Sequence, residues 1–535
     1  MSHNPEASPS LGVMPKLFTG RTFHAITFTV VGIIGIFYSL TLYDGHDWSG
    51  DWSQYIHHAK NLAEGKNYLD TGYIVSSSAK FVGPYAYPPI FPILLTPIYW
   101  LYGLDFEAMK LVAIVSLCLS LLLFPRLFNN QLTRAQQIIL ILLVGLNPFF
   151  WEYRNSILSD YSFIFFSYLS LHLMQLFVQS ANNTQLQSYL RTLWRSFGLG
   201  LIMYLAYGCR EIGIILPLCV LTYEIINKRK ITLISIASIA IFLVLACSQY
   251  HFLNTNLTPI SIQQNLAEFS EKHAESSSTG HLDFISLDPA AIAHRVQGYR
   301  WALQAFLPFN HNPTFELINT ILFNLVTLLA FFGYFIALKR RITVLEIFFA
   351  GYVAVLLLFG APTYTRYLLP LLPLILYYAL ISYQYFLKSG IFGSNRYHLK
   401  TLISAGLLSV TSISYAYSIK NHSYEALDNG ISHPKAVEMF EFIRNNTALN
   451  DTIVSRKPRM MALLTNRTSI STPRLASPTP EHINQFFDAA EADYYVDFQL
   501  QKWILPLSES TPPTPWFTEV FRNSHTAIYK YQPPP

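Results

Sequence analysis

The residues most suited to chemistry stand between Gly50 and Gly65, shortly after a first long apolar stretch. Asp51 is placed to N-cap the helix that follows, because its side chain can accept a hydrogen bond from a free backbone N–H of the first turn. Apolar residues then recur on one helical face, which predicts a helix along the membrane surface: Tyr55, Ala59, Leu62 and Ala63. A carboxylate at the water–lipid boundary can take a proton from a hydroxyl nucleophile, so Asp51 is a candidate general base.

More charged residues cluster at the predicted outer ends of other apolar stretches, where ionisable groups are costly and suggest function. They are Asp44, Asp47, Glu107, Lys110, Glu152, Arg154, Asp160, Arg210, Glu211 and Arg366. Arginine suits a leaving phosphate, because its planar guanidinium stays charged and binds two oxygens. Arg210 is either a substrate contact or part of a structural pair with Glu211, and Lys80 is either a phosphate contact or a plain surface lysine. The alternative for the whole set is that outer loops are polar because they are wet.

Two other features carry weaker hypotheses. The segment 288–302 predicts a helix capped by Asp288 that carries Arg300. This helix either covers the site as a lid, with an arginine reaching a phosphate, or is simply solvated. His57 and His58 are adjacent and point to different helical faces, so at most one of them can join a metal site.

The elements that position these residues are membrane helices. Of 535 residues, 52% are hydrophobic and only 13% are charged, and the mean hydropathy is +0.30. Because a soluble domain has about 25% charged residues, these values exclude an ordinary cytosolic enzyme, a disordered protein and a collagen-like fibre. The four cysteines lie in apolar stretches, which excludes a disulfide scaffold or a zinc ribbon. The lack of a P-loop or a GxGxxG motif argues against ATP or a dinucleotide.

A span needs about 20 mostly apolar residues, and the sequence predicts a polytopic α-helical membrane protein with about eleven spans. They are residues 23–43, 107–124, 137–151, 159–178, 197–209, 212–226, 231–249, 317–338, 343–360, 368–387 and 401–418. The proline-rich segment 87–102 is interpreted as an interfacial or re-entrant element on the outer side. Counting it as a span would move the later basic loops outside.

Every second loop is short and basic, which the positive-inside rule assigns to the cytoplasm. These basic residues include Arg126, Arg134, Arg191, Arg195, Lys228, Arg229, Lys230, Lys339, Arg340 and Arg341. The net charge of +5 therefore requires no nucleic-acid partner. Eleven spans that start inside leave the C-terminus outside.

This topology predicts three parts. Residues 1–22 are a cytoplasmic segment, residues 23–418 are the transmembrane domain, and residues 419–535 are a small extracytoplasmic α/β domain. The transmembrane domain carries the long outer loops 44–106 and 250–316, the second of which has a mobile tip at 275–280. In the tail, helical spacing covers 433–444 and strand patterns cover 451–455, 493–498 and 520–531.

Several short motifs, in order over the first 390 residues, resemble those of the GT-C glycosyltransferases. Asp51, with Tyr55 four residues later and then A-x-x-L-A-x-G, is similar to the first outer loop of that family. The other matching segments are Tyr87-Pro-Pro-Ile-Phe-Pro92, Leu146-Asn-Pro148, Ile157-Leu-Ser-Asp-Tyr161 and Arg366-Tyr-Leu-Leu-Pro-Leu-Leu-Pro373. Within the family, the chain looks most like the protein mannosyltransferases and the lipid A aminoarabinose transferases.

The resemblance implies roles for particular residues. Asp51 corresponds to the essential first-loop acid, which acts as general base or holds a divalent metal, and Asp160 corresponds to the second acidic position. Arg366 stands where a cation can meet the donor phosphate. Further substrate-binding residues are expected at Tyr55, Tyr87, Arg210 and Arg300, and a divalent metal is expected at Asp51 and Asp160. Trp52 follows Asp51 where many relatives have a second acid, so Asp47 would have to compensate.

The implied function is transfer of a hexosyl or pentosyl group, with inversion, from a polyprenyl-phosphate carrier to an acceptor outside a bacterial inner membrane. Membrane lipid is a second partner, and the acceptor is a protein, a lipid or a glycan. The main alternative is a transporter or lipid flippase, although such proteins usually place charged sites near the midplane of repeated halves. A membrane anchor without catalysis and an O-antigen-type ligase are further alternatives; the ligase would lack the arrangement of Asp51 and Tyr87.

Overall fold

The computed structural model describes residues 20–76, 82–179, 189–273, 287–304, 306, 316–359, 363–388, 397–420, 430–473, 479–498 and 515–533. These residues form nineteen α-helices, several short 3-10 or π segments, and six β-strands. Lys80, the loop tip 275–280 and most of the segment 1–22 lie outside the described residues.

The eleven predicted apolar stretches all fall on helices that pack as one bundle. In chain order they are α1 (Gly20–Leu40), α4 (Phe106–Leu127), α5 (Arg134–Gly145) with α6 (Pro148–Glu152), α7 (Asp160–Met174), α8 (Tyr189–Tyr207), α9 (Ile215–Lys228), α10 (Leu233–Leu253), α13 (Glu316–Arg340), α14 (Val344–Leu358), α15 (Leu372–Lys388) and α16 (Tyr397–Lys420). Among the described helices, five are long and apolar enough to cross a membrane, or six if the bent pair that starts at Arg134 is one span. A total of eleven spans stays a prediction.

The first outer loop folds into two helices and a short strand. They are α2 (Asp51–Ala63), α3 (Ile90–Tyr102) and β1 (Tyr73–Ile74). The helix α3 packs on α2 and α4 and exposes apolar side chains such as Trp100 at its end. The second outer loop contributes α11 (Ile260–His273) and α12 (Pro289–Gln304), and Asp288 accepts hydrogen bonds from the first-turn N–H groups of α12 as predicted.

Two expectations for α2 are wrong. The helix begins at Asp51 with Gly50 in the capping position, and no side chain caps it. The helix is also not a surface helix with one apolar face, since polar residues such as Gln54 and His58 are fully buried while Leu62 is 37% exposed. Both faces of α2 are covered because the tail packs on the side that the sequence pattern leaves to water.

The tail adds three helices and five strands. They are α17 (Pro434–Asn446), β2 (Thr452–Ser455), α18 (Pro458–Thr465), β3 (Thr468–Ser471), α19 (Pro480–Ala489), β4 (Tyr494–Phe498), β5 (Phe517–Arg522) and β6 (Thr526–Tyr531). The sheet has the order β1-β3-β2-β4-β6-β5, with β1, β3, β2 and β4 parallel and the last two strands antiparallel. Its first strand therefore belongs to the first outer loop and not to the tail.

The first loop and the tail share a hydrophobic core. Trp52, Ile56 and Phe91 of the loop pack in one cluster with Ile453 and Met460 of the tail, and all five are fully buried. Burial of large apolar side chains contributes roughly 1.5–3 kcal/mol each, so this interface stabilises both parts. The tail is thus fixed against the first loop at one end of the helix bundle.

Candidate active site

Asp51 is the centre of a network of side chains from four distant segments. Its Oδ2 accepts a hydrogen bond from Nη1 of Arg366 at 2.8 Å, and its Oδ1 accepts one from the hydroxyl of Tyr87 at 2.7 Å. Nη1 of Arg459 lies 3.4 Å from the same Oδ1 and donates to the Tyr87 hydroxyl oxygen at 3.0 Å. Because Asp51 makes these contacts and caps no helix, its carboxylate is oriented for interactions between elements.

Local structure explains how these side chains reach Asp51. Arg366 lies in the 3-10 turn Thr365–Leu368 that links α14 to α15. Tyr87 precedes two prolines that lead into α3. The helix does not extend to residues before these prolines, because a proline inside a helix has no N–H to donate to the preceding turn. The backbone N–H of Tyr87 donates to Nε2 of His58, which fixes this turn on α2.

A second carboxylate stands beside the first. Asp160, the first residue of α7, accepts a hydrogen bond on Oδ2 from Nη2 of Arg210 at 2.9 Å. Nε of Arg210 lies 3.4 Å from the hydroxyl oxygen of Ser159, which in turn is 3.1 Å from the hydroxyl of Tyr55. Arg210 therefore pairs with Asp160 and not with its sequence neighbour Glu211.

Aromatic rings join the two carboxylates into one site. The rings of Tyr55 and Tyr87 are 4.6 Å apart. The guanidinium groups of Arg210 and Arg366 each lie 5.6 Å from the ring of Tyr367. A guanidinium over an aromatic face is attracted by the ring quadrupole, so the two arginines are held near each other despite their like charge.

The site carries an excess of positive charge. Arg210, Arg366 and Arg459 face the carboxylates of Asp51 and Asp160. Burial alone would raise the pKa of the Asp51 carboxyl group, but Arg366, Arg459 and the Tyr87 hydroxyl outweigh it and hold that pKa below its usual value. Burial raises the pKa of the Tyr87 hydroxyl, which therefore stays protonated and donates to Asp51. An anionic group is the ligand that this charge balance favours.

A divalent metal fits these residues poorly. Both oxygens of Asp51 already accept hydrogen bonds from cationic or hydroxyl donors. Asp160 has one buried oxygen that lacks a partner among the described residues. A hard cation takes several oxygen ligands, and the described part of the chain contains no group of three His, Cys, Asp or Glu residues able to hold one. The metal at Asp51 and Asp160 stays a prediction.

Other candidates lie away from the network. Arg300 is exposed on α12, and among the described residues no hydrogen bond or ion pair joins it to Asp51 or Asp160. Its neighbour Arg295 donates to the carbonyl of Leu357 at the end of α14. Asp47 accepts from His46 and from the backbone and hydroxyl of Ser49, so it stabilises a turn and does not extend the carboxylate pair.

Arg459 is the residue that sequence reasoning missed. It follows the basic run Arg456-Lys457-Pro458 at the start of α18, in a tail interpreted as a separate domain. The only available signal was an arginine next to a helix-starting proline after a strand. That pattern is common on solvated surfaces, so it does not indicate a residue that is 1% exposed.

Comparisons with known proteins agree with this architecture. The sequence matches no family model and no curated protein. The structure is similar to the archaeal oligosaccharyltransferase AglB from Archaeoglobus fulgidus, solved with an inhibitory peptide and a dolichol-phosphate, with a TM-score of 0.60, 12% identity, and coverage of 89% of this chain and 69% of that chain. It is also similar to ArnT from Cupriavidus metallidurans bound to undecaprenyl phosphate, with a TM-score of 0.56, 11% identity, and coverage of 96% and 98%.

A third similar structure is the Archaeoglobus fulgidus oligosaccharyltransferase in complex with Zn and sulfate, with a TM-score of 0.57, 12% identity, and coverage of 88% of this chain and 68% of that chain. These neighbours are glycosyltransferases with the GT-C fold. The predicted resemblance is therefore confirmed at the level of the fold. At these identities the similarity shows the fold alone.

Proposed function

We propose that this protein is a membrane glycosyltransferase that moves a sugar from a polyprenyl-phosphate carrier to an acceptor at the outer face of a bacterial inner membrane. The observation that carries the proposal is the pairing of Asp51 with Arg366 beside the pairing of Asp160 with Arg210. Solved proteins of the same fold hold dolichol-phosphate or undecaprenyl phosphate, which supports a lipid-borne donor.

The donor phosphate is expected to bind Arg366. The side chain of Arg366 is 23% exposed. Its guanidinium can therefore rotate away from Asp51 towards a ligand, and no buried cavity remains behind it. A guanidinium binds two phosphate oxygens in a fixed fork geometry. A phosphodiester carries one negative charge. This charge balances the single excess positive charge of three guanidinium groups and two carboxylates.

Asp51 is proposed as the general base. It accepts the proton of the acceptor hydroxyl while that oxygen bonds to the anomeric carbon of the sugar, and the bond from this carbon to the phosphate oxygen breaks with its electron pair. Polyprenyl phosphate leaves, and a single displacement inverts the anomeric centre. When Arg366 turns to the donor phosphate, one cause of the lowered Asp51 pKa weakens, so Asp51 is more basic in the donor complex than in the free protein.

Asp160 is proposed to orient a hydroxyl group of the sugar or of the acceptor. One of its oxygens is held by Arg210, and the other is buried without a partner among the described residues. An unsatisfied buried acceptor costs about 1–3 kcal/mol, so a ligand hydroxyl that donates to this oxygen would gain affinity. Tyr55 and Tyr87 supply the wall between the two carboxylates.

The test uses the purified full-length chain in lipid nanodiscs. Undecaprenyl phosphate should raise the Tm of the wild type, whereas undecaprenol, which has the same tail but no phosphate, should not. Radiolabelled sugar should then pass from polyprenyl-phosphate sugars to membrane extracts with the wild type and not with Asp51→Asn.

Equal stabilisation by the alcohol and the phosphate would contradict the proposal. Movement of the lipid across proteoliposomes without release of sugar would favour the transporter or flippase instead.

A further inference from the structure

The guanidinium of Arg459 is held far more rigidly than the other cation at Asp51. The side chain of Arg459 is 1% exposed, against 23% for Arg366. Its Nη1 contacts both Asp51 and the Tyr87 hydroxyl, and its Nη2 donates to the backbone carbonyl of Val82. Arg459 thus binds three separate points of the first outer loop.

The packing of the tail fixes this position. Arg459 is the second residue of α18, which starts at Pro458 after a short link from β2. The next residues, Met460 and Met461, are fully buried in the core that the tail shares with the first loop. The helix α18 packs on α2, and Lys60 of α2 donates to the side chain of Asn466 at the end of α18 at 2.6 Å.

The two arginines therefore have different freedom to respond to a ligand. Arg366 lies in a 3-10 turn between two helices, and its side chain is partly exposed. If Arg366 turns to a donor phosphate, Arg459 and Tyr87 are the two partners among the described residues that continue to orient the carboxylate of Asp51. A general base must stay within hydrogen-bond reach of the proton it takes, so a fixed partner preserves its geometry.

We propose that Arg459 is a positioning residue that holds Asp51 and Tyr87 in place during transfer, so that the tail is an obligatory part of the active site. This role rests on the function proposed above. Arg459 acts through Asp51 and does not contact the donor, and it therefore affects the chemical step more than the binding of the donor.

The test compares Arg459→Met and Arg459→Lys with the wild type in full-length protein, by kcat and by KM for the polyprenyl-phosphate sugar. A hydrogen bond to a charged group corresponds to about a 10–100-fold effect, so Arg459→Met should lower kcat by that factor. The KM for the donor should stay within about twofold, because uniform binding is not altered. Arg459→Lys should restore part of the lost kcat, since an ammonium reaches one acceptor but not three.

Arg467 offers a matched control in the same tail. It is also buried, but it donates to the backbone carbonyls of Arg444, Thr447 and Thr465 and to the Thr447 hydroxyl, away from Asp51. Arg467→Met should lower Tm and leave kcat per folded molecule unchanged.

Four further outcomes decide the proposal. The Tm losses of Asp51→Asn and Arg459→Met should combine to less than their sum in the double variant, because each substitution removes the ion pair between Asp51 and Arg459. A normal kcat in folded Arg459→Met, or an equal kcat loss in Arg467→Met, would overturn the role of Arg459 alone. Absence of undecaprenyl phosphate binding and of sugar transfer in the wild type would overturn the proposed function and this role together.

Discussion

Asp51 shows how a single side chain can satisfy more than one structural pattern. Its position at the start of α2 fits a helix cap, yet its carboxylate accepts hydrogen bonds from Arg366 and Tyr87 and pairs with Arg459. Capping needs only one acceptor for the first-turn N–H groups. Two arginines and a partly buried tyrosine on one carboxylate are far more than a cap requires, which favours a role in chemistry.

Replacement of Asp51 by asparagine should lower kcat by about 10²–10⁴-fold, the usual contribution of a general base. The amide keeps an oxygen for Arg366 and Arg459 but takes no proton. Sugar transfer and Tm measured on the same preparation separate lost catalysis from lost folding. Asp47→Asn is the matched control, because Asp47 lies four residues upstream and its carboxylate accepts hydrogen bonds from His46 and Ser49 in its own turn.

Near-normal turnover of folded Asp51→Asn would remove Asp51 from the chemistry. The metal expectation can be separated in the same assay. Because the site offers cationic partners where metal ligands would be needed, a chelator should leave the wild-type rate unchanged. Recovery of Asp51→Asn on addition of a divalent ion would instead support a metal.

Replacement of Arg366 by alanine should weaken undecaprenyl phosphate binding by about 10–100-fold, because a charge-assisted hydrogen bond contributes roughly 1.5–3 kcal/mol. Arg366→Lys should restore binding only in part, since the fork geometry is lost. The measurement is the Tm shift at increasing lipid phosphate. Arg522→Ala, at a surface arginine that pairs with Glu519, is the control that should bind normally. Wild-type affinity in Arg366→Ala would place the phosphate elsewhere.

Most of the site could be predicted from residue type and order, but not all of it. Asp51, Tyr87, Asp160, Arg210 and Arg366 were each marked by a charged or aromatic group at the outer end of an apolar stretch, and the structure brings them together. Spacing along a helix identifies a face, but it does not identify which distant element meets that face. Arg459 of the tail therefore had only an unspecific sequence signal, and Arg300 had a signal but contacts neither carboxylate among the described residues.

At the scale of elements, α2 depends on two neutral histidines. Burial lowers the pKa of both His57 and His58 to about 3. Nδ1 of His58 is 2.7 Å from the carbonyl of Tyr68, and Nε2 accepts the backbone N–H of Tyr87. This arrangement requires one neutral tautomer, with the proton on Nδ1. Protonation of Nε2 would break the bond that places Tyr87 beside Asp51.

The stability of the protein should therefore fall as the pH drops below about 6.5. Each histidine has a folded pKa below its unfolded value, so the unfolded chain gains the proton first, and stability is complete above the unfolded pKa. From pH 7 to pH 5 each contributes a loss of about 2 kcal/mol. The dependence of Tm on pH should become weaker in His57→Gln. It should equal that of the wild type in His251→Gln, because His251 is an exposed residue of α10. A wild-type Tm that is constant over this range would contradict buried neutral histidines.

The pairing of α13 with α15 depends on small residues. Ala330, Gly333 and Ala337 are buried on one face of α13, and a Cβ atom at Gly333 would overlap the backbone of Tyr378 in α15. Gly333→Ala should thus lower stability by about 1–3 kcal/mol or more, as overpacking does. Gly32→Ala in α1 has open space around it and should be neutral or slightly stabilising. Equal Tm values for Gly333→Ala and Gly32→Ala would show that α13 and α15 can move apart without loss of stability.

At the scale of the whole molecule, the bundle has two chemically distinct ends. Asp51, Asp160 and Arg366 lie at one end. At the other end, Nζ of Lys228 donates to the carbonyl of Val178 beyond α7, and Arg341 contacts the Tyr223 hydroxyl at 3.4 Å. The basic loops that the positive-inside rule assigns to the cytoplasm therefore gather opposite the carboxylates, although the sequence gives only their order along the chain.

The sequence predicts that a tail domain begins at residue 419, because the composition changes there. The sheet joins this tail to the first loop, since β1 of the first loop pairs with β3 of the tail. A two-residue strand such as Tyr73–Ile74 has no detectable alternation pattern, and its pairing is set by the surrounding packing.

The two ends of the bundle predict opposite accessibility to an impermeant thiol reagent in intact spheroplasts. In a chain whose four native cysteines are replaced by alanine, Asn445→Cys on α17 should react, because the tail lies at the same end as Asp51. Asn129→Cys, in the loop between α4 and α5, should react only after the membrane is lysed, because Arg126 and Arg134 flank it. Both asparagines are exposed, so the matched pair differs only in the end of the bundle on which it lies. The reverse labelling pattern would place Asp51 and the tail in the cytoplasm, where an acceptor outside the membrane could not reach them.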